Sequence, residues 1–98
     1  MTRAEALALL KRRESDIRQL GIRALSIFGS TARGDEKPDS DVDLAASLDP
    51  DRPIGLFEFV DMEQQLARML GKTVDLVTEP SRKPRLQAQI DRDRVRVF

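Results

Sequence analysis

The segment from Ile22 to Phe28, IRALSIF, limits the possible folds of this chain more than any other. Alternate side chains of a strand point to opposite faces, and here both alternating sets are apolar except at Arg23 and Ser26. A strand that is apolar on both faces has to be covered on both faces, which is typical of a central strand flanked by helices. The chain has 98 residues, so we expect a single domain, residues 1–98, built around this strand.

The rest of the chain alternates between helical and extended patterns. The predicted fold class is therefore α/β (α+β), a small mixed β-sheet of three to four strands with helices packed against it. We interpret a group of large apolar residues, Phe57, Phe59, Met62 and Met69, as core packing. The predicted elements are a helix from a capping box at Thr2 and Glu5 to Gly21, strand Ile22–Phe28, a short helix capped by Ser30, strand Asp41–Ser47, helix Leu56–Leu70, strand Lys72–Val77, helix Arg85–Ile90 and a last strand at Val95–Phe98.

The composition excludes several classes of function. Lys plus Arg and Asp plus Glu both number 17, and this neutral balance argues against direct nucleic-acid binding. Cysteine and histidine are absent, which removes thiolate metal sites and the commonest general base. Any catalysis must therefore use carboxylates, hydroxyls, Lys, Arg and a hard, oxygen-bound metal. No membrane-length apolar run and no signal-peptide pattern is present, so we expect a cytoplasmic protein without a membrane partner.

Three aspartates are candidate metal ligands. Asp41 and Asp43 are two residues apart on a predicted strand, so their side chains share a face while Val42 points into the core. Two such carboxylates repel each other unless a divalent cation lies between them, and oxygen ligands suit Mg²⁺. If the strand carrying Asp75 pairs beside them, the three carboxylates could hold two metal ions about 3.5–4 Å apart.

The turn after the first strand is a candidate phosphate site. Gly29 lets the backbone approach a ligand closely, and a short helix after Ser30 would aim free N–H groups at it. Together with the Ser30 hydroxyl and Arg33, these donors could hold the terminal phosphates of a nucleoside triphosphate.

Other interpretations of these motifs have less support from the sequence. An Asp-x-Asp pair by itself is usually structural, and Arg33 could be an ordinary surface arginine. The run from Asp39 to Asp43 begins like a calcium-binding EF-hand loop, but Leu44 stands where the turn glycine belongs and Pro50 where the bidentate Glu belongs. The chain has neither a GxxxxGK[ST] nor a GxGxxG motif, so the usual ATPase, kinase and dinucleotide-binding interpretations lack support.

The combined pattern resembles a known superfamily. Gly29-Ser30, ten residues and then Asp41-Val42-Asp43 is similar to the signature of the DNA polymerase β-type nucleotidyltransferases. The string GSTARGDEKPDSDVDL, followed by GKTVDLV and the KPRL tail, resembles the minimal nucleotidyltransferase branch, the MntA-type antitoxins paired with HEPN-domain toxins. The likeness runs from Ile22 to Phe98 and implies the palm-like nucleotidyltransferase fold.

The resemblance also implies roles for individual residues. Gly29 and Ser30 match the triphosphate-binding pair, and Arg33 matches a recurring basic position. The matching metal ligands and catalytic acids are Asp41, Asp43 and Asp75. The implied reaction uses two Mg²⁺ ions to transfer AMP from ATP to a tyrosine hydroxyl of a cognate HEPN toxin, encoded by a neighbouring gene, and so silences it.

Two alternatives remain open from the sequence. The chain could be a binding module that neutralises its partner by occlusion, with nucleotide as a structural ligand only. It could also be a nucleotidyltransferase whose acceptor is an RNA end or a small molecule, although the neutral charge speaks mildly against RNA.

Overall fold

A computed structural model describes residues 1–98, the whole chain, as five helices and one four-stranded sheet. None of the helices combines the length and apolar character that a bilayer crossing requires. The elements are α1 (Arg3–Arg12), α2 (Glu14–Gln19), β1 (Ile22–Phe28), α3 (Gly29–Arg33), β2 (Val42–Leu48), α4 (Leu56–Leu70), β3 (Val74–Thr78), α5 (Pro84–Asp93) and β4 (Val95–Arg96).

The sheet is mixed, and its strand order is β3-β2-β1-β4. β1 pairs antiparallel with β2 on one side and with β4 on the other, so the prediction that IRALSIF forms a central strand is confirmed. β2 and β3 run parallel, because α4 connects them and carries the chain back to the same end of the sheet. The predicted α/β class with a mixed sheet is therefore confirmed.

One face of the sheet holds the main core. Alternate residues of β2 point to this face, where the helices α1 and α4 cover it. Burial of this apolar surface is the main term that stabilises the fold. The largest contributors are Leu10, Ile17, Leu25, Ile27, Leu44, Met62 and Leu66.

The opposite face is covered only in part. α5 packs Ile90 against Phe28 and Ala45, with Leu86 and Val77 beside them. Asp43 precedes Ala45 on this face by two residues and Asp75 precedes Val77 by two, so both acids lie on the face of α5 but outside its apolar contact. This uncovered end of the sheet positions the candidate site.

Two local predictions were wrong. The N-terminal helix opens with the predicted Thr2–Glu5 capping box but is interrupted at Arg13, which separates α1 from α2. Ser30 does not cap α3, because that helix begins at Gly29 with Phe28 in the capping position and no side-chain cap.

Phe57 is not a core residue. Its exposed fraction is 87%, and that of Leu56 is 74%, whereas Met62 is 2% exposed. The buried residues of α4, spaced four apart, begin only at Met62, so the first turn of the helix lies beyond the core. Apolar character alone could not distinguish the two parts of α4. Phe59 is half-buried as part of the core periphery.

Candidate active site

The strand register places two of the predicted acids next to each other. Asp43 of β2 is the direct partner of Asp75 of β3, and the Val42 N–H donates to the Thr73 carbonyl at 2.9 Å to fix this register. In-register neighbours on parallel strands share a face and are about 4.8 Å apart along the hydrogen-bonding direction. Asp41 is exposed and immediately precedes β2. We call Asp41, Asp43 and Asp75 the acidic edge.

The charges of the acidic edge act on one another. The pKa of Asp43 is raised, first by partial burial of its carboxylate and then by the negative charges of Asp75 and Asp41. The positive charge of Arg33 opposes this shift. The three carboxylates are therefore close enough to repel, and no basic side chain neutralises them as a group.

The donor set fits a hard divalent cation. Carboxylate oxygens are the ligands that Mg²⁺ prefers, and a cation would relieve the repulsion that raises the pKa of Asp43. The carboxylates do not themselves converge into a formed cage of three or more acidic ligands. The match to Mg²⁺ thus rests on donor chemistry and strand register.

Position 29 requires a glycine because the Asp43 carboxylate lies against it. Its φ is +72°, and a Cβ at this position would overlap the Asp43 carboxylate and lie 3.1 Å from its Cγ. The contact follows from the antiparallel register, in which Phe28 pairs with Asp43 and delivers the next residue against the acid. Sequence reasoning predicted that the Gly29 backbone approaches a ligand closely, and the structure shows that it lies against the Asp43 carboxylate.

Ser30 lies at the start of α3, beside this contact. The backbone of the helix is closed by a turn in which Gly34, at φ +82°, and Asp35 both donate to the Ser30 carbonyl, at 2.9 and 3.1 Å. α3 has no side-chain cap, so no capping side chain accepts from the backbone N–H groups of its first turn. The turn thus brings its donors to the same end of the sheet as the acidic edge.

Arg33 is already engaged within the protein. Its Nε donates to Asp35 at 3.1 Å and its Nη1 donates to Asp93 at 2.7 Å. These hydrogen bonds raise the pKa of Arg33, the bond to Asp35 contributing most. Burial would raise the pKa of Asp93, but hydrogen bonds from Arg33 and Arg92 outweigh it and the pKa is lowered.

Sequence reasoning did not identify Asp93 as a buried residue. The side chain is 3% exposed. The available signal was helical spacing, because Leu86, Ile90 and Asp93 share the face of α5 that packs on the sheet.

A mixed sheet with an acidic edge beside a glycine–serine turn defines an enzyme that transfers nucleotides. A family model described as nucleotidyltransferase domain matches residues 9–97, and the chain belongs to this family. Its predicted membership is therefore confirmed, and a nucleotide is its substrate class.

Relatives in both sequence and structure agree with this assignment. The chain is 34% identical over 98 residues to the protein adenylyltransferase MntA of Thermococcus cleftensis, covering 99% of this chain and 97% of the relative. A solved structure assigned as a minimal nucleotidyltransferase is 30% identical, with a TM-score of 0.71, and the match covers 97% of this chain and 95% of that one.

The fold also occurs in a toxin–antitoxin assembly. A structure of tri-AMPylated Shewanella oneidensis HEPN toxin in complex with MNT antitoxin matches with a TM-score of 0.68 and 20% identity. The match covers 94% of this chain and 71% of that chain. At this identity the similarity shows the fold.

Proposed function

We propose that this chain is a Mg²⁺-dependent protein adenylyltransferase that transfers AMP from ATP to a tyrosine hydroxyl of a cognate HEPN-domain toxin and acts as its antitoxin. The observation that carries the proposal is the in-register pair Asp43 and Asp75 beside the Gly29–Ser30 turn. The name of the Thermococcus cleftensis relative, and the complex of an AMPylated toxin with an antitoxin of the same fold, support the acceptor class.

The acidic edge would act on the reacting phosphate. Mg²⁺ would be held by Asp41, Asp43 and Asp75, with two ions in the fully loaded site. The bound ions would neutralise negative charge on the triphosphate. Asp75, the acid on the edge strand β3, would accept the proton of the acceptor hydroxyl. The acceptor oxygen bonds to the α-phosphorus, and the bond from that phosphorus to pyrophosphate breaks.

The α3 turn would hold the leaving group. The Ser30 hydroxyl and the uncapped N–H groups of the first turn would donate to the β- and γ-phosphate oxygens, with Arg33 contributing positive charge. Gly29 contributes by allowing this turn to lie against Asp43.

Transfer of label from α-labelled ATP to the purified toxin, in the presence of Mg²⁺, tests the proposal. Asp41→Ala or Asp43→Ala should abolish transfer and leave the fold intact, because each removes a carboxylate from the acidic edge. Asp39→Ala is the matched control, since Asp39 is an exposed loop aspartate two residues before Asp41, and it should transfer normally. Undiminished transfer by either acidic-edge variant would contradict the mechanism.

The occlusion alternative gives a different result in cells. If the chain neutralises its partner by binding alone, the double variant Asp41→Asn/Asp43→Asn should still protect cells from the toxin at ordinary expression levels. Under the adenylyltransferase proposal that variant binds the toxin but does not protect.

A further inference from the structure

Asp93 is the only charged residue in the buried part of this protein, and the proposed reaction gives it no role. It is at the end of α5, 60 positions from Arg33 in sequence, and its Oδ2 accepts the Arg33 Nη1–H at 2.7 Å. Its Oδ1 accepts from Arg92 Nε at 3.3 Å. A carboxylate is costly to bury, and a buried ion pair commonly stabilises a fold no better than apolar residues of similar volume would. Stability alone therefore does not explain the choice of an acid here.

What Asp93 fixes is the orientation of Arg33. An arginine has five N–H donors, and in this protein Asp35 receives two and Asp93 one. Two donors remain, one on each terminal nitrogen, which is a pattern suited to phosphate oxygens. The Arg33 side chain is 41% exposed, so it is not sealed off from a ligand. Arg33 is in the same five-residue helix as Gly29, which lies against the Asp43 carboxylate, and its positive charge opposes the rise in the pKa of Asp43.

The hydrogen bond between Arg33 and Asp93 also helps to hold the rest of α3 in place. This helix has only five residues, so its own hydrogen bonds hold it weakly. Arg33 ties its last residue to α5, and Arg3 of α1 donates to the Ala32 carbonyl at 2.9 Å. Of these ties, only the one to Asp93 holds a charged side chain of α3 itself.

We infer that Asp93 is a positioning residue of the nucleotide site, which fixes the Arg33 guanidinium and the α3 turn where they meet the phosphates of the bound nucleotide. The inference rests on the nucleotide-binding part of the proposed function and on neither the acceptor nor the catalytic step.

Calorimetric titration of the purified chain with ATP and Mg²⁺ tests the inference without any acceptor. Asp93→Asn should weaken ATP affinity by about tenfold, as loss of a side chain that orients a direct ligand commonly does. Asp91→Asn is the matched control on the same helix, since Asp91 is 62% exposed and pairs with Arg94. It should bind ATP as the wild type does.

A double-mutant cycle distinguishes positioning from a general loss of structure. Arg33→Ala should weaken ATP binding, and adding Asp93→Asn to it should cause no further loss, because Asp93 acts through Arg33. In transfer assays Asp93→Asn should raise the KM for ATP with little change in kcat. Wild-type affinity in Asp93→Asn, or losses that multiply in the double variant, would overturn the inference.

Arg33→Lys replaces Asp93→Asn in the test if the latter does not fold. An ammonium keeps the charge but cannot reproduce the planar fork that joins Asp35, Asp93 and a phosphate, so the same loss of affinity is expected. Wild-type affinity in Arg33→Lys would refute the positioning role. A wild-type chain that binds no ATP would overturn the proposed function as well, whereas a normal wild type with normal variants would overturn only this inference.

Discussion

Asp75 lies near the start of β3 and Glu79 directly follows its last residue, and the surroundings of the two acids are opposite. Asp75 lies beside Asp43 on the neighbouring strand, and the pKa of Asp43 is raised by its burial and by these negative charges. Glu79 accepts hydrogen bonds from both terminal nitrogens of Arg94 and from Gln87 at 3.0 Å. The pKa of Glu79 is lowered, mainly by the bond from Arg94.

The difference comes from what covers the sheet. α5 and the residue after it bring Gln87 and Arg94 to Glu79, and Asp91 accepts from both of these donors. Arg94 also donates to the buried Ser26 hydroxyl at 2.9 Å. α5 does not cover the other end, and the carboxylates of Asp41, Asp43 and Asp75 form no ion pair there. One strand thus has a neutralised end that stabilises the fold and an unneutralised end suited to binding cations.

The largest expected effect is at the unneutralised end. Asp75→Asn should lower the rate of AMP transfer by about a hundredfold or more, because a charged group acting on the transition state is lost. The free energy of unfolding should not fall, since the substitution removes a repulsion. Transfer kinetics and a denaturant titration measure the two quantities, and an active or strongly destabilised variant would break the comparison.

The neutralised end should behave in the opposite way. Arg94→Ala should lower the free energy of unfolding by about 2–3 kcal/mol, because it leaves Glu79, whose side chain is 11% exposed, without its partner. Arg94→Ala should retain AMP transfer when the transfer is measured well below the unfolding midpoint of the variant. Arg85→Ala, at an exposed arginine of α5, the helix that ends directly before Arg94, should be nearly neutral. Equal unfolding midpoints for Arg94→Ala and Arg85→Ala would contradict this account.

The smallest expected effect is on the pH dependence of stability. The folded pKa of Glu79 is depressed, so its contribution is fully present above the ordinary glutamate pKa of 4.5 and is lost as the pH falls through the lower folded value. Glu79→Gln should therefore lose less stability than the wild type between neutral and strongly acidic pH. Unfolding midpoints measured across that range would reveal parallel curves if Glu79 is not the responsible group.

Much of the fold and the composition of the site follow from the sequence, because they depend on local periodicity. The alternation of side chains on a strand identifies IRALSIF as central and puts Asp41 and Asp43 on one face. The spacing of Met62, Leu66 and Leu70 defines the buried face of α4. The glycine–serine turn next to the Asp pair indicated the nucleotidyltransferase family, whose family model matches residues 9–97.

The tertiary structure decided which distant residues meet. Only the strand registers bring Asp75 beside Asp43 and put the Asp43 carboxylate where Gly29 would carry a Cβ. Only the packing of α5 buries Asp93 against Arg33, and only the length of the covered face leaves Phe57 exposed. The direction in which side chains point within one helix or strand follows from the backbone geometry of that element. Strand register and burial depend instead on how separate elements pack. Local sequence therefore specifies each element, and the contacts between elements are fixed when the elements assemble.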